Sequence, residues 1–324
     1  MNTGNRPGPF ALPDLQNTFP GPFPANAHAG TVEEHLRRWI AERNLPVPPA
    51  GLQTLCGITA QGIARAFPAA DLGALLPAGE LFVWLVAFDD AHGETSAAAD
   101  PTALADRAAE LTQALAGEVP VHPESPFTTA LRGVLARFRD RATPAQYLRL
   151  TGHLRDNLLG LLWEAHHLTA PGRVPLPVYC AMRPLTVFVR TLMAIAPITL
   201  SYELSARHHS LDPVRRMETA VAHLAGWVND LASYQRESRA GAAPLSLPTL
   251  LMAERRLTLP EAFETAARMC EEQAATARGL IDGLSAGGPS PLTRHAQAMR
   301  HLVHAFIWHI RHDRYVPAPA VPQA

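Results

Sequence analysis

Apolar residues recur at three- and four-residue spacing in segment after segment of this chain, and no sustained alternation at spacing two interrupts them. No Asn-Gly or Asp-Gly hairpin flanked by alternating runs is present either, so a sheet cannot be the framework. Helical patterns cover Val32–Arg43, Ala50–Ala66, Glu80–Asp90, Thr102–Ala116, Thr128–Arg139 and Pro144–Leu168. An apolar, internally broken stretch follows at Pro177–Leu204, then a long helix from Asp212, then Leu247–Glu254, Pro260–Leu284 and Pro291–Arg311. Thr143-Pro144 and Asp212-Pro213 each supply a cap followed by proline at the first helical position. Pro and Gly fall between helices, and no linker is long enough to divide the chain. This predicts an all-α single domain, a bundle of about ten to twelve helices. Residues 1–25 are rich in Pro, Gly and Asn and are expected to be flexible or draped over the surface.

Charge narrows the function classes. With 28 basic and 29 acidic residues in 324, the net charge is −1, which argues against a nucleic-acid partner. All the basic residues are arginine. The apolar stretch Leu192–Leu200 is too short, and carries Pro197, so no membrane span is expected from it. Cys56, Cys180 and Cys270 are scattered in no metal-binding spacing and read as reduced thiols of a cytoplasmic protein. His301 with His304, and His309 with His312, sit three apart, but no carboxylate accompanies them at ligand spacing. They read as ordinary helix-surface histidines.

Two clusters carry chemistry. In the helix from Asp212, the residues Met217, Val221, Leu224, Val228 and Leu231 form the core stripe. Asn229, Ser233 and Glu237 are four apart each time, so they line one neighbouring face over two turns. An amide oxygen, a hydroxyl and a carboxylate are hard donors suited to Mg²⁺. Ala222, Ala225 and Gly226, upstream on that face, leave room for something beside the helix. The second cluster is Asp89-Asp90, followed by Glu94, where the apolar run Leu81–Phe88 ends. Adjacent carboxylates at a helix C-terminus repel each other and oppose the helix dipole, and a bound cation reverses both terms. Each cluster alone also reads as an ordinary solvated face or acidic helix end. Together they form two oxygen-donor walls without an all-protein cage, which is how Mg²⁺ shared with a substrate diphosphate is held. No Walker-type glycine loop points to a nucleotide.

With these motifs in view, the chain resembles the bacterial class I terpene synthases. Asp89-Asp90-x-x-x-Glu94 resembles the family's aspartate-rich motif. Asn229-Asp-x-x-Ser233-x-x-x-Glu237 resembles its second metal motif, with Arg236 where a lysine is usual. Arg314-Tyr315 resembles the C-terminal arginine–tyrosine pair, and Trp308 stands six residues before it. Arg183 lies 46 residues before Asn229, at the place of the diphosphate-sensing arginine. Asn26-Ala-His-Ala and Trp39 are similar to the N-terminal segment. The matches run in order from about residue 20 to 315. Two positions depart from the pattern. Pro184 stands where a second arginine is common, and Val187, not glycine, stands where a helix break offers its carbonyl to substrate.

The resemblance implies a domain over residues 26–315 with a central apolar cavity, and a flexible tail at 316–324. It implies three Mg²⁺ ions held by Asp89, Asn229, Ser233 and Glu237, with Glu94 as a further ligand. It also implies that the diphosphate is bound by Arg183, Arg236, Arg314 and Tyr315, and that Asp90 pairs with Arg314 on closure. The break around Thr186–Phe188 would present the Val187 carbonyl. The allylic cation would then lie against Phe82, Phe188 and Trp308, while Trp84, Phe88 and Trp227 belong to the core. Farnesyl diphosphate is the expected substrate on family prevalence, which makes the chain a sesquiterpene synthase, and a homodimer is the expected assembly. Two alternatives stay open. A condensing isoprenyl diphosphate synthase would need a second aspartate-rich motif and lysines that the chain lacks. A non-catalytic helical binding protein would draw its support from Pro184 and Val187 alone.

Overall fold

The computed structural model describes residues 12–92, 100–120, 123–168, 173–238 and 243–311. They form α1 Ala29–Glu42, α2 Pro49–Ala66, α3 Leu72–His92, α4 Pro101–Ala116, α5 Pro126–Arg139, α6 Pro144–His167 and α7 Leu176–Thr186. The series continues with α8 Val189–Thr199, α9 Ala206–Ser210, α10 Asp212–Ser238, α11 Leu247–Arg255, α12 Leu259–Ser285 and α13 Pro291–His309. No strand occurs among the described residues.

Local chemistry explains the boundaries. Proline occupies the first or second position of α2, α4, α5, α6, α7, α11, α12 and α13, where its missing N–H is no loss. Asp100, Ser125 and Ser290 accept first-turn N–H bonds at α4, α5 and α13. Thr143 with Gln146, and Thr258 with Glu261, form reciprocal capping boxes. Helix α3 starts eight residues before the pattern predicted and carries Pro77 in its interior, which leaves the Gly73 carbonyl without its helical donor.

Helix α10 packs along α12 and touches α7, α8, α11 and α13, and α2 is flanked by α1, α3 and α13. Helix α3 is apolar all round and lies buried. Leu72–His92 and Leu176–Thr199 are long and apolar enough to cross a membrane by length and composition, yet about two-thirds of each is buried within the fold (67% and 61%). The second is also interrupted at Val187–Phe188.

Of the N-terminal segment, residues 12–25 are described and lie draped against the bundle. Residues 12–25 are anchored: Leu15 and Phe19 are fully buried, and Phe19 and Phe23 pack on the His304 ring of α13. Asn26 closes this segment by donating to the carbonyls of Ala70 (2.8 Å) and Phe67 (3.3 Å). Pro and Gly gave the segment its loop shape, and three apolar side chains hold it down.

Candidate active site

The C-terminal end of α3, the later half of α10 and the α7–α8 break open onto one cavity of about 170 Å³, with α2 and α13 as its far wall. Its mouth carries Asp89, Asp90, Glu164, Arg183, Asn229, Arg236 and Glu237. Below them the lining is apolar, with Phe82, Val86, Leu192 and Ala225 on one side and Ile58, Ile63, Leu302 and Phe306 on the other. A polar rim above an apolar well suits a ligand with a charged head and a hydrocarbon body.

The break is built by specific contacts. Helix α7 ends at Thr186, Val187 is its cap, and Phe188 takes a left-handed conformation (φ 60°) before α8 begins. That conformation is strained for a residue with a Cβ and needs support from its surroundings. Asn157 of α6 supplies it, donating to the Leu185 carbonyl and accepting from the Thr191 hydroxyl, so one amide bridges both sides of the break. Gly160, one turn along α6, permits the close approach: a Cβ there would lie 2.9 Å from Leu185 Cβ and 3.0 Å from its backbone carbon. Pro184 fits because the Cys180 carbonyl, which loses its helical donor, accepts instead from His223 Nε2 of α10 at 3.1 Å.

Arg183 is the centre of the charged end. Its Nε lies 2.8 Å from Asp230 Oδ1, one NH₂ group donates to Asn229 Oδ1 (2.9 Å), and the other donates to Thr186 Oγ1 (2.7 Å), with Glu164 at 3.6 Å. Asp230 is fully buried and also accepts from the Tyr179 hydroxyl (2.5 Å) and the Leu247 N–H (2.9 Å). Burial works against the Arg183 charge, but Asp230 and Glu164 overcome it and hold the guanidinium protonated far above its ordinary range. Burial likewise pushes Glu237 above the usual carboxylate range, against the pull of Ser233, Arg183 and Arg236. Ser233 is fully buried and its hydroxyl donates to the Asn229 carbonyl (2.8 Å).

Comparison with known proteins shows the family. The family model described as terpene synthase family 2, C-terminal metal binding, matches residues 80–276. A (12E)-labda-8(17),12,14-triene synthase of Streptomyces anulatus is 52% identical over 97% of this chain and 98% of its own. The chain belongs to the bacterial class I terpene synthases. It is an enzyme, a carbon–oxygen lyase acting on isoprenoid diphosphates, as its relatives are named terpene synthases. The synthase of the same name from Streptomyces cyslabdanicus is 50% identical over 97% of this chain and 95% of its own. Among solved structures, the linalool/nerolidol synthase of Streptomyces clavuligerus superposes with a TM-score of 0.77 over 90% of this chain and 98% of that one, at 20% identity. The ancestral-reconstruction protein SVS_A2 gives 0.81 over 93% and 90%, at 24% identity. These likenesses show the all-α terpenoid synthase fold.

In this terpene synthase the structure gathers Asp89, Asp90, Arg183, Val187, Phe188, Phe82, Asn229, Arg236 and Glu237 around the cavity. Ser233 lies behind Asn229 rather than on the lining surface. Trp308 does not line the cavity; the Arg65 guanidinium covers its ring at 4.3 Å, and Phe306 and His309 of α13 and its cap residue Ile310 line the cavity instead. Spacing from Arg314 selected Trp308, but successive helical residues turn by about 100°, and two positions change the face. Glu94, Arg314, Tyr315 and the tail 316–324 lie outside the described residues, as does His312. Trp84 donates to the Phe127 carbonyl and stacks on Phe88, and Trp227 stacks on His223, so all three are core residues.

Sequence reasoning gave no role to Glu164, Tyr179, Asp230 or Asn157, and placed Thr186 only at the helix break. Thr186 had a local signal, three residues after Arg183. The rest meet their partners only across helices. For a metal, the donor chemistry fits: every rim donor is a hard oxygen. Among the described residues no three His, Cys, Asp or Glu side chains converge on one point. A divalent ion here would therefore draw on Asn229 and on phosphate oxygens to complete its shell, and on Ser233 only once its hydroxyl turns from the Asn229 carbonyl.

Proposed function

We propose that this enzyme converts a C20 allylic diphosphate, rather than farnesyl diphosphate, to a labdane-type triene. Support comes from near-full-length identity of 52% and 50% to two labdatriene synthases, against 28% for an amorphene synthase described as cyclising farnesyl diphosphate. A (12E)-labda-8(17),12,14-triene has two rings and a terminal conjugated diene. Ionisation at C15 of a bicyclic allylic diphosphate that already carries the 8(17) alkene yields that diene directly. The C15–O bond breaks with its electron pair leaving on diphosphate. The cation spreads over C13 to C15, and loss of the C12 proton to the departing diphosphate completes the 12,14-diene. Building the rings here would require protonating a distant alkene, and the cavity's described carboxylates, Asp89, Asp90, Glu164 and Glu237, all sit at the mouth.

Bound Mg²⁺, three ions in this reading, would neutralise the charge growing on the leaving diphosphate. Asp89 on α3, and Asn229, Ser233 and Glu237 on α10, are the residues that would hold it, with Glu94 as a further donor. Arg183 does the positioning. It holds Asn229 Oδ1, the same oxygen a metal would take, so the incoming diphosphate must draw one NH₂ group away while Nε stays on Asp230. Arg236, Arg314 and Tyr315 extend the donor set, and Asp90 pairs with Arg314 on closure. In this reading the Val187 carbonyl at the break would face the cation, and Phe82 and Phe188 would offer ring faces, each about 0.5–2 kcal/mol. Phe306 takes the place first given to Trp308. A homodimer is part of this reading on the resemblance alone.

The single observation that carries the proposal is the near-full-length identity to two labdatriene synthases, and the cavity lined by both charged and apolar side chains is compatible with it. The test is diphosphate release from a C20 allylic diphosphate with Mg²⁺ and with EDTA. Release that survives EDTA contradicts the metal-dependent reading.

A further inference from the structure

We propose that Gly226 is a positioning residue of the reaction, acting through Arg183; the proposal rests on the reading that Arg183 receives the diphosphate. Gly226 sits in the middle of α10, one turn before Asn229. Glycine weakens a helix interior, and nothing in the backbone asks for it here, since the positive-φ glycines are Gly117 and Gly288. Its use is space. A Cβ at residue 226 would lie 2.8 Å from Arg183 Cγ and 3.7 Å from its Cδ and Nε.

The arginine stem thus lies directly on the α10 backbone. Arg183 is buried, and its guanidinium is fixed at four points, to Asp230, Asn229, Thr186 and Glu164. A methyl group at 226 must lift the stem by about half an ångström or more to reach ordinary contact distance. Asp230 and Asn229 are on successive positions of α10 and cannot follow that movement. Gly226 therefore sets the height at which the guanidinium meets both the buried carboxylate and the metal-binding amide. The small residues of this face make room for the arginine stem as well as for substrate.

The test is a double-mutant cycle with wild type, Gly226→Ala, Arg183→Lys and the double variant, each checked by circular dichroism. Two readouts are taken: Mg²⁺-dependent turnover of a C20 allylic diphosphate, and calorimetric binding of inorganic diphosphate with Mg²⁺. Gly226→Ala is expected to fold, to lose about 100-fold in kcat with KM changed less than about threefold, and to bind diphosphate about tenfold more weakly. In the Arg183→Lys background the same substitution still displaces the stem but is expected to change neither readout further, because no guanidinium is left to be misplaced. Losses that multiply in the double variant, an unfolded Gly226→Ala, or undiminished diphosphate binding by it overturn the proposal. Inorganic diphosphate binding reads Arg183 without the organic substrate, so a wild type that binds it but turns over no C20 substrate counts against the proposed function and leaves this cycle readable.

Discussion

Asn229 and Asp230 are neighbours in sequence with different tasks. Asn229 is half-buried and faces the cavity, so Asn229→Ala is expected to cut diphosphate release by about 1000-fold while moving stability by less than about 1 kcal/mol. Paired activity and denaturation measurements check this. Asp230 is fully buried against Arg183, Tyr179 and Leu247. Asp230→Ala leaves the arginine uncompensated and is expected to cost about 3–5 kcal/mol in urea unfolding. The contrast explains what was legible. A spacing of four exposed Asn229, Ser233 and Glu237 as one face, and the doublet at 89–90 stood out at the end of an apolar run. Asp230 points about 100° away, and Tyr179 is 51 residues distant, so no local pattern joined them. Glu164 was invisible for the same reason.

At the scale of elements, the α7–α8 break depends on a third helix. Asn157→Leu removes the group that satisfies the Leu185 carbonyl and the Thr191 hydroxyl, and is expected to lower stability by about 2–4 kcal/mol in denaturant titration. The far end of α10 has its own anchor: Glu218 meets His295 at 3.0 Å and His209 and Arg149 at 3.8 Å, with the Tyr202 hydroxyl on the other nitrogen of His295 at 2.9 Å. Burial pushes Glu218 up, but His209, His295 and Arg149 outweigh it and hold its carboxyl below the usual range. A depressed carboxylate adds stability that is full above its unfolded pKa of about 4.3 and fades as pH falls through the folded value. Glu218→Gln is therefore expected to lose about 2 kcal/mol at pH 7, and the gap to wild type should close progressively below pH 4 or so. Thermal melts across pH check the sign. Most of these elements could be read from proline and cap residues, but α9, with five residues, is too short for a periodic signal. The broken apolar stretch was expected to break near Thr186–Phe188, and it does so at Val187–Phe188. Why it breaks there was not legible, because Asn157 and Gly160 act from α6.

At the scale of the molecule, the thirteen helices of the described residues bring two distant motifs to one rim and leave an apolar well beneath it. Helix order and motif spacing made the fold and the enzyme class readable, because Asp89 and Asp90 are local to α3 and Asn229, Ser233 and Glu237 to α10. Substrate size was not readable. The cavity is lined by side chains from α2, α3, α8, α10 and α13 that meet only in three dimensions, and the expected farnesyl preference followed family prevalence instead of this lining. The most direct measurement incubates the purified enzyme and Mg²⁺ with geranyl, farnesyl and geranylgeranyl diphosphates and a bicyclic labdane diphosphate carrying an exocyclic methylene. Products are read by gas chromatography–mass spectrometry. The account predicts a labdatriene from the bicyclic C20 substrate, absent with EDTA. A cyclic C15 hydrocarbon from farnesyl diphosphate, with the bicyclic C20 substrate untouched, would contradict it.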